Sequence, residues 1–248
     1  MIIMSMPFQP LSKVLDLDAI KRKVTSMTID GLIEVLLAKG VVVWQLAVDS
    51  KRVFVAKDFE AQHRNYVWAS QLGQNDALAL FFNVKYGVKL YREDDLHRIV
   101  YGFLVHEAYQ GILMMNMPDV EIEVKVFDDD LGVVGVADLV TTNAVVELKS
   151  GKKSRRHLLQ LAAYLRALRK DRGYLVYRDD VIEVRYDEGI EQALLDAVKE
   201  VRRLRDLMSS YSLNDVINRF GSSYEGFKRR FGVEPSRLLE VLRDKGLA

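Results

Sequence analysis

The spacing of apolar residues along the chain changes several times, and each change marks an element. Thr28 or Asp30 is placed to cap a helix that runs through Ala38 and closes at Lys39-Gly40. Val41–Val48 and Arg52–Ala56 then read as two β runs around Asp49-Ser50-Lys51, a hairpin. Residues 58–72 and 75–86 follow helical spacing, and a longer helix is predicted from about Glu93 to Met115. The middle of the chain is rich in strands: Val120–Phe127, Val133–Val140 and Ala144–Lys149, with turns at 128–132 and Thr141-Thr142-Asn143. A helix from about Ser154 to Lys170 follows, then a hairpin of Gly173–Tyr177 and Val181–Tyr186, then a helix from about Ile190 to Met208. After Ser212, Gly221, Gly232 and Pro235 divide the tail into two or three short helices. This order predicts an α/β fold with a central mixed β-sheet flanked by helices, plus helical N- and C-terminal additions.

Composition narrows the function less than the pattern does. The chain has 248 residues, 49% hydrophobic and 29% charged, which suits one globular domain with or without a small appendage. It has no cysteine, which excludes disulfides, thiolate zinc sites, cysteine-ligated iron–sulfur clusters and a cysteine nucleophile. The start, Met1 to Pro7, is apolar but short and has no basic residue, so it is not expected to act as a signal peptide. The longest apolar stretch, Gly40 to Val48, is too short to span a bilayer. The expectation is a soluble, cytoplasmic protein with no membrane partner. The 36 Lys+Arg and 35 Asp+Glu leave a net charge of +1, which by itself points to no polyanion.

Candidate chemistry sits on the middle strands. Asp138 interrupts an otherwise apolar run, and Glu147 and Lys149 lie two apart, on one face of the next strand. A short turn at 141–143 pairs these strands antiparallel and brings Asp138 beside Glu147. Two adjacent carboxylates repel unless a cation lies between them, and a hard divalent ion with oxygen ligands suits such a pair. The plainer alternative is a strand-end aspartate beside a solvated stripe. On the following helix His157, Gln160 and Tyr164 form a polar ridge next to Leu158, Leu161, Leu165 and Leu168. That ridge either overhangs the sheet end or simply marks the amphipathic boundary. Upstream, Ile99, Gly102, His106, Tyr109 and Leu113 share a helical face, so His106 points inward, as a core histidine or as a ligand through a neutral ring nitrogen. Glycine inside a helix costs about 1 kcal/mol relative to alanine, so Gly102 is expected to answer a need for space. Glu107 lies about 100° further round and is expected to face away.

Taken in order, Gly102-x-x-x-His106, Gly135-x-x-Asp138, Glu147-x-Lys149 and Gln160-x-x-x-Tyr164 resemble the RecB-type branch of the PD-(D/E)XK nuclease superfamily, including the CRISPR-associated RecB-like nucleases. The resemblance covers roughly residues 99–205. It implies a restriction-endonuclease-like core and a metal-dependent DNA nuclease in repair, recombination or defence. His106, Asp138, Glu147 and the backbone carbonyl of Leu148 would ligate Mg²⁺ or Mn²⁺, one ion or two. Lys149 would orient or activate the attacking water, and Gln160 and Tyr164 would complete the catalytic set. Ala137 replaces the proline of the superfamily name, as is common in this branch. Many CRISPR-associated relatives carry four cysteines for an iron–sulfur cluster. This chain has none, so no such cluster is expected.

Local charge agrees with a polyanionic partner. Between Lys149 and Arg172 there are nine Lys/Arg and one acid, a net +8 that leaves the rest of the chain at −7. Lys152, Lys153, Arg155, Arg156 and His157 are the candidate nucleic-acid contacts, at a helix N-terminus suited to phosphate. A solvated helix face is the alternative. The sequence divides most simply into an N-terminal helix and hairpin cap (1–92), a nuclease core (93–210) and a helical extension (211–248). Within the first of these, the helix at 29–38 and the hairpin at 41–56 read as a winged-helix-like module or, more simply, as a cap on the core. The aromatic and basic residues of the last read as a small bundle or as a nucleic-acid or partner surface. The implied partner is DNA, alone or within a homo-oligomer or an assembly of DNA-processing proteins. Two other functions compete: a restriction-type endonuclease or junction resolvase on the same fold, and a catalytically silent DNA-binding or assembly subunit.

Overall fold

The computed structural model describes residues 8–57, 66–74 and 76–248. The apolar start at 1–7 and part of the helix expected over 58–72 lie outside the described residues. In chain order the helices are α1 (Leu11–Val14), α2 (Leu17–Thr25), α3 (Ile29–Ala38), α4 (Ala77–Tyr86), α5 (Glu93–Asn116), α6 (Arg155–Ala167), α7 (Glu188–Ser210), α8 (Leu213–Arg219), α9 (Gly221–Phe231) and α10 (Pro235–Asp244). The strands are β1 (Val43–Val48), β2 (Lys51–Lys57), β3 (Val67–Trp68), β4 (Val88–Tyr91), β5 (Glu121–Asp128), β6 (Val133–Val140), β7 (Val145–Lys149), β8 (Arg172–Tyr177) and β9 (Val181–Arg185).

The chain forms two compact units, each discontinuous in sequence. The first takes described residues of 1–23, 65–74 and 101–201, the second those of 24–64, 75–100 and 202–248. This grouping differs from a division after residues 92 and 210. The reason lies in the long helices: the boundary falls inside α5 and α7, where a helical pattern gives no break to read.

The first unit is the mixed α/β domain the pattern predicts. Its sheet runs β3-β6-β7-β8-β9, with β5 paired to β6 as well. β7 and β8 are parallel and α6 connects them, while β6–β7 and β8–β9 are antiparallel. One apolar layer joins Val133, Ala137 and Val145 to Leu161 and Leu165 of α6 and Leu194 and Val198 of α7. A second layer joins Val146, Leu148, Tyr174 and Val176 to Val105 and Tyr109 of α5 and to Phe8, Leu11 and Leu17. Alternate residues of β7 therefore feed opposite layers, so the strand reads as an unbroken apolar run. The exception is Glu147, which is 2% exposed in the middle of that run. At 66–72 the expected helix is replaced by β3 and a short 3-10 turn, Ala69–Gln71.

The second unit pairs β1-β2-β4 antiparallel. Asp49 and Ser50 both have positive φ, 47° and 64°, which makes the tight turn of the predicted hairpin. Thr28 caps α3 by accepting from the Gly31 N–H, as expected. Gly87, at φ 64°, ends α4 and lets the chain enter β4, which helical spacing alone does not disclose. Its core gathers Phe81 and Phe82 of α4 with Phe227 and Phe231 of α9 and Leu238 of α10. The tail aromatics thus face inward as a small bundle.

Candidate active site

The site forms where β6 and β7 part. Their ladder consists of Val140↔Val145 and Leu139↔Val146 and stops there. Asp138 and Glu147 are the first residues past its end, so the two carboxylates face the opening. The Leu148 N–H, left without a ladder partner, donates to Asp138 Oδ2 at 2.7 Å. A strand residue sends its N–H and C=O to the same side, so the Leu148 carbonyl faces the same opening.

Lys149 is two residues beyond Glu147 and folds back to it, with Nζ donating to Glu147 Oε1 at 2.8 Å. The same Nζ donates to Gln160 Oε1 at 2.8 Å, so α6 does overhang the sheet end. The Gln160 amide in turn donates to Glu147 Oε1 at 2.7 Å and to the Tyr164 hydroxyl at 3.0 Å. Gly135 makes room for that tyrosine: a Cβ there would lie 2.6 Å from the Tyr164 ring and 2.8 Å from its hydroxyl. The spacing Gln160-x-x-x-Tyr164 therefore serves one chain of hydrogen bonds, from the ring over Gly135 to the carboxylate of Glu147. Tyr164 itself is buried rather than on the polar ridge.

From the other side, α5 presents His106, whose Nδ1 lies 3.4 Å from Asp138 Oδ1. Gln110, one turn on and 5% exposed, donates from Nε2 to the Asp138 carbonyl at 3.1 Å. Sequence reasoning missed Gln110. Its i, i+4 spacing from His106 was the available signal. Glu107 is exposed, as expected. Gly102 answers no tight need: a Cβ there would meet Ser150 Oγ at 3.4 Å, an ordinary contact.

The electrostatics set Glu147 apart. Burial, then the Asp138 carboxylate, push its pKa up to about 7, against the pull of Lys149 and His106. Its Oε2 is buried with no hydrogen-bond partner among the described residues. An orphaned carboxylate oxygen in a buried pocket is costly unless a cation takes it. Burial alone would lower the His106 pKa, but the hydrogen bond and charge of Asp138 and the charge of Glu147 raise it. Burial and Glu147 also raise the Tyr164 hydroxyl, which stays protonated. Among the described residues no three His, Asp or Glu side chains stand as a ready metal-ligand set. His106, Asp138 and Glu147 are neighbours, but His106 is turned onto Asp138 and Glu147 Oε1 onto Lys149 and Gln160.

The basic segment is less uniform than its sequence. Lys152 and Arg155 are exposed at the start of α6. Lys153 pairs with Asp180 and lies over the Tyr177 ring. Arg156 donates to the Ser70 carbonyl at 3.0 Å. Ser154 caps α6, its hydroxyl accepting from the Arg156 N–H. His157 shares a hydrogen bond with the Tyr177 hydroxyl at 2.9 Å. Burial, then Lys149 and Arg156, lower its pKa to about 4, so it offers a phosphate no positive charge at neutral pH.

No family model matches the chain. Similar solved structures include that of SSO0001, 19% identical over 56% of this chain and 76% of that one, TM-score 0.43. Two structures of the alkaline exonuclease LHK-Exo of Laribacter hongkongensis also match. One is a complex with dAMP, 14% identical over 60% of this chain and 93% of that one, TM-score 0.44. The other is 11% identical with the same coverage, TM-score 0.38. These likenesses are remote. Among the described residues no helix is long and apolar enough to cross a membrane.

Proposed function

We propose that the chain is a metal-dependent DNA nuclease that hydrolyses phosphodiester bonds at the opening between β6 and β7. The single observation that carries this reading is the buried Glu147 carboxylate. It shares one oxygen with Lys149 and Gln160, leaves the other orphaned, and sits beside a second carboxylate, Asp138. The donor set suits a hard divalent cation, Mg²⁺ or Mn²⁺. Asp138, Glu147 through its unpartnered Oε2, the Leu148 carbonyl and His106 would hold it, once the His106 ring shifts off Asp138 Oδ1. When bound there, such an ion supplies Lewis acidity and neutralises charge on the phosphodiester.

The protein's own groups do the rest. The Lys149 ammonium, held by Glu147 and Gln160, offers a fixed positive charge and its third N–H to an attacking water. Gln160 fixes the direction of Lys149, and Tyr164 fixes Gln160. Lys152 and Arg155 are free to meet the phosphate backbone from the exposed start of α6. His157 contributes through hydrogen bonding rather than charge. Action in DNA repair, recombination or defence is the setting this chemistry suits.

Cleavage of single-stranded, duplex and branched DNA, with Mg²⁺, Mn²⁺ or EDTA, tests the reading. The expected result is metal-supported cutting that EDTA abolishes and that Lys149→Ala reduces by at least about a hundredfold. Tight, salt-dependent binding without cutting under any condition would leave a catalytically silent DNA-binding subunit. Preference for branched or specific duplex sites would favour a resolvase or restriction-type role.

A further inference from the structure

The β5–β6 ladder has a missing rung beside the site. Ile122↔Leu139 and Val124↔Ala137 are paired, but Glu123 and Asp138 between them are not. Glu123 has φ 51°, a conformation that side-chain-bearing residues rarely adopt and that takes its backbone out of the ladder. Across β6–β7 the Thr141 N–H donates to the Ala144 carbonyl. By the two-residue alternation, Leu139 and Thr141 direct their backbone groups to β7, and Asp138 directs its own to β5. The Asp138 carbonyl thus faces the one β5 residue that is turned away. Gln110 takes its place, donating at 3.1 Å from a side chain that is 5% exposed.

Gln110 and His106 stand one turn apart on the same face of α5. One helix face therefore grips Asp138 twice, by the imidazole at its carboxylate and by the amide at its backbone. We propose that Gln110 is a positioning residue of the active site, fixing Asp138 relative to His106 where the β5 ladder has let it go. The inference rests on the functional reading above, since Asp138 is one of its metal ligands. An outer partner of this kind typically changes metal affinity 10–100-fold when removed.

The test uses Gln110→Met in the full chain, close in shape but without the donor; Gln110→Asn, too short to reach, serves if that variant does not fold. Mn²⁺ affinity is measured by isothermal titration, and the His106–Asp138 separation from crystals of both proteins. The expected result is Mn²⁺ binding weakened about 10–100-fold, with the Asp138–His106 contact opening beyond about 4 Å. An unchanged Mn²⁺ affinity and an unchanged contact, with only a lower Tm, would overturn the inference and leave Gln110 a packing residue. If the wild-type protein cuts no DNA and takes up no Mn²⁺, the nuclease reading falls, and the crystallographic separation still decides the role of Gln110.

Discussion

Each of the two units buries a carboxylate, and the two are treated in opposite ways. Asp95, 7% exposed in its side chain, takes the Arg92 N–H at 2.8 Å and Arg230 at 2.9 Å on Oδ2, and Arg98 on Oδ1. Burial would raise its pKa, but Arg230, the Arg92 N–H and Arg98 together bring it below the usual aspartate value. Glu147, 3% exposed in its side chain, has one lysine, a second carboxylate nearby and an oxygen with no partner, and its pKa is raised. A carboxylate buried to hold a fold has its oxygens satisfied. One buried with an oxygen to spare is arranged for something that the protein alone does not supply.

The largest expected stability effect is on the satisfied side. Asp95→Asn leaves Arg230 and Arg98 facing a neutral amide and is expected to cost about 1–3 kcal/mol. Glu147→Gln, by contrast, relieves a crowded pair of carboxylates and is expected to stay within about 1 kcal/mol of wild type. Urea denaturation of both variants, with EDTA present, checks the contrast. It breaks down if Glu147→Gln is the more damaging.

Next comes the support of Glu147. Gly135→Ala drives a methyl into the buried Tyr164 ring and is expected to cost about 1–3 kcal/mol. It should also loosen Gln160, so cutting should fall more than stability alone accounts for. Thermal denaturation and cleavage rates on the same sample separate the two losses.

Smaller still is the pH dependence of the Asp95 cluster. Its folded pKa lies below the ordinary value of 3.8, so its contribution is present above that value. It is lost as pH falls through the folded value. Acid unfolding of Asp95→Asn should therefore lack this part of the wild-type decline, seen as a shallower fall of Tm below about pH 4. The smallest effect is Gly102→Ala. With only Ser150 Oγ nearby, the substitution should be tolerated, gaining up to about 1 kcal/mol from helix propensity. A loss of stability there would mean that α5 packs more tightly at the site than its glycine indicates.

The strands and long helices of the middle were legible because their apolar periods are regular, and β6 was legible as an apolar run broken by Asp138. Asp138, Glu147, Lys149, Gln160 and Tyr164 come together as the spacing suggested. Gln110 was marked only by its i, i+4 spacing from His106; its role is defined by the carbonyl it meets, which is freed by a backbone turn at Glu123. The pairing of Lys153 with Asp180 depends on the β8–β9 turn, and the reduced charge of His157 on burial and on Lys149, neither of which local sequence encodes. β3 and β4 are short, and a run of two to four residues carries no readable period. The discontinuous units escaped notice because helices that serve two units show no break.

The central claim is that Glu147 is buried for chemistry rather than for stability. Its most direct test is the Mn²⁺-supported DNA cleavage rate of Glu147→Gln beside wild type, both shown to be folded. Loss of a metal-centre carboxylate removes several kcal/mol of transition-state stabilisation, so a drop of at least about a thousandfold is predicted. Cleavage by the folded Glu147→Gln protein at the wild-type rate would contradict the account.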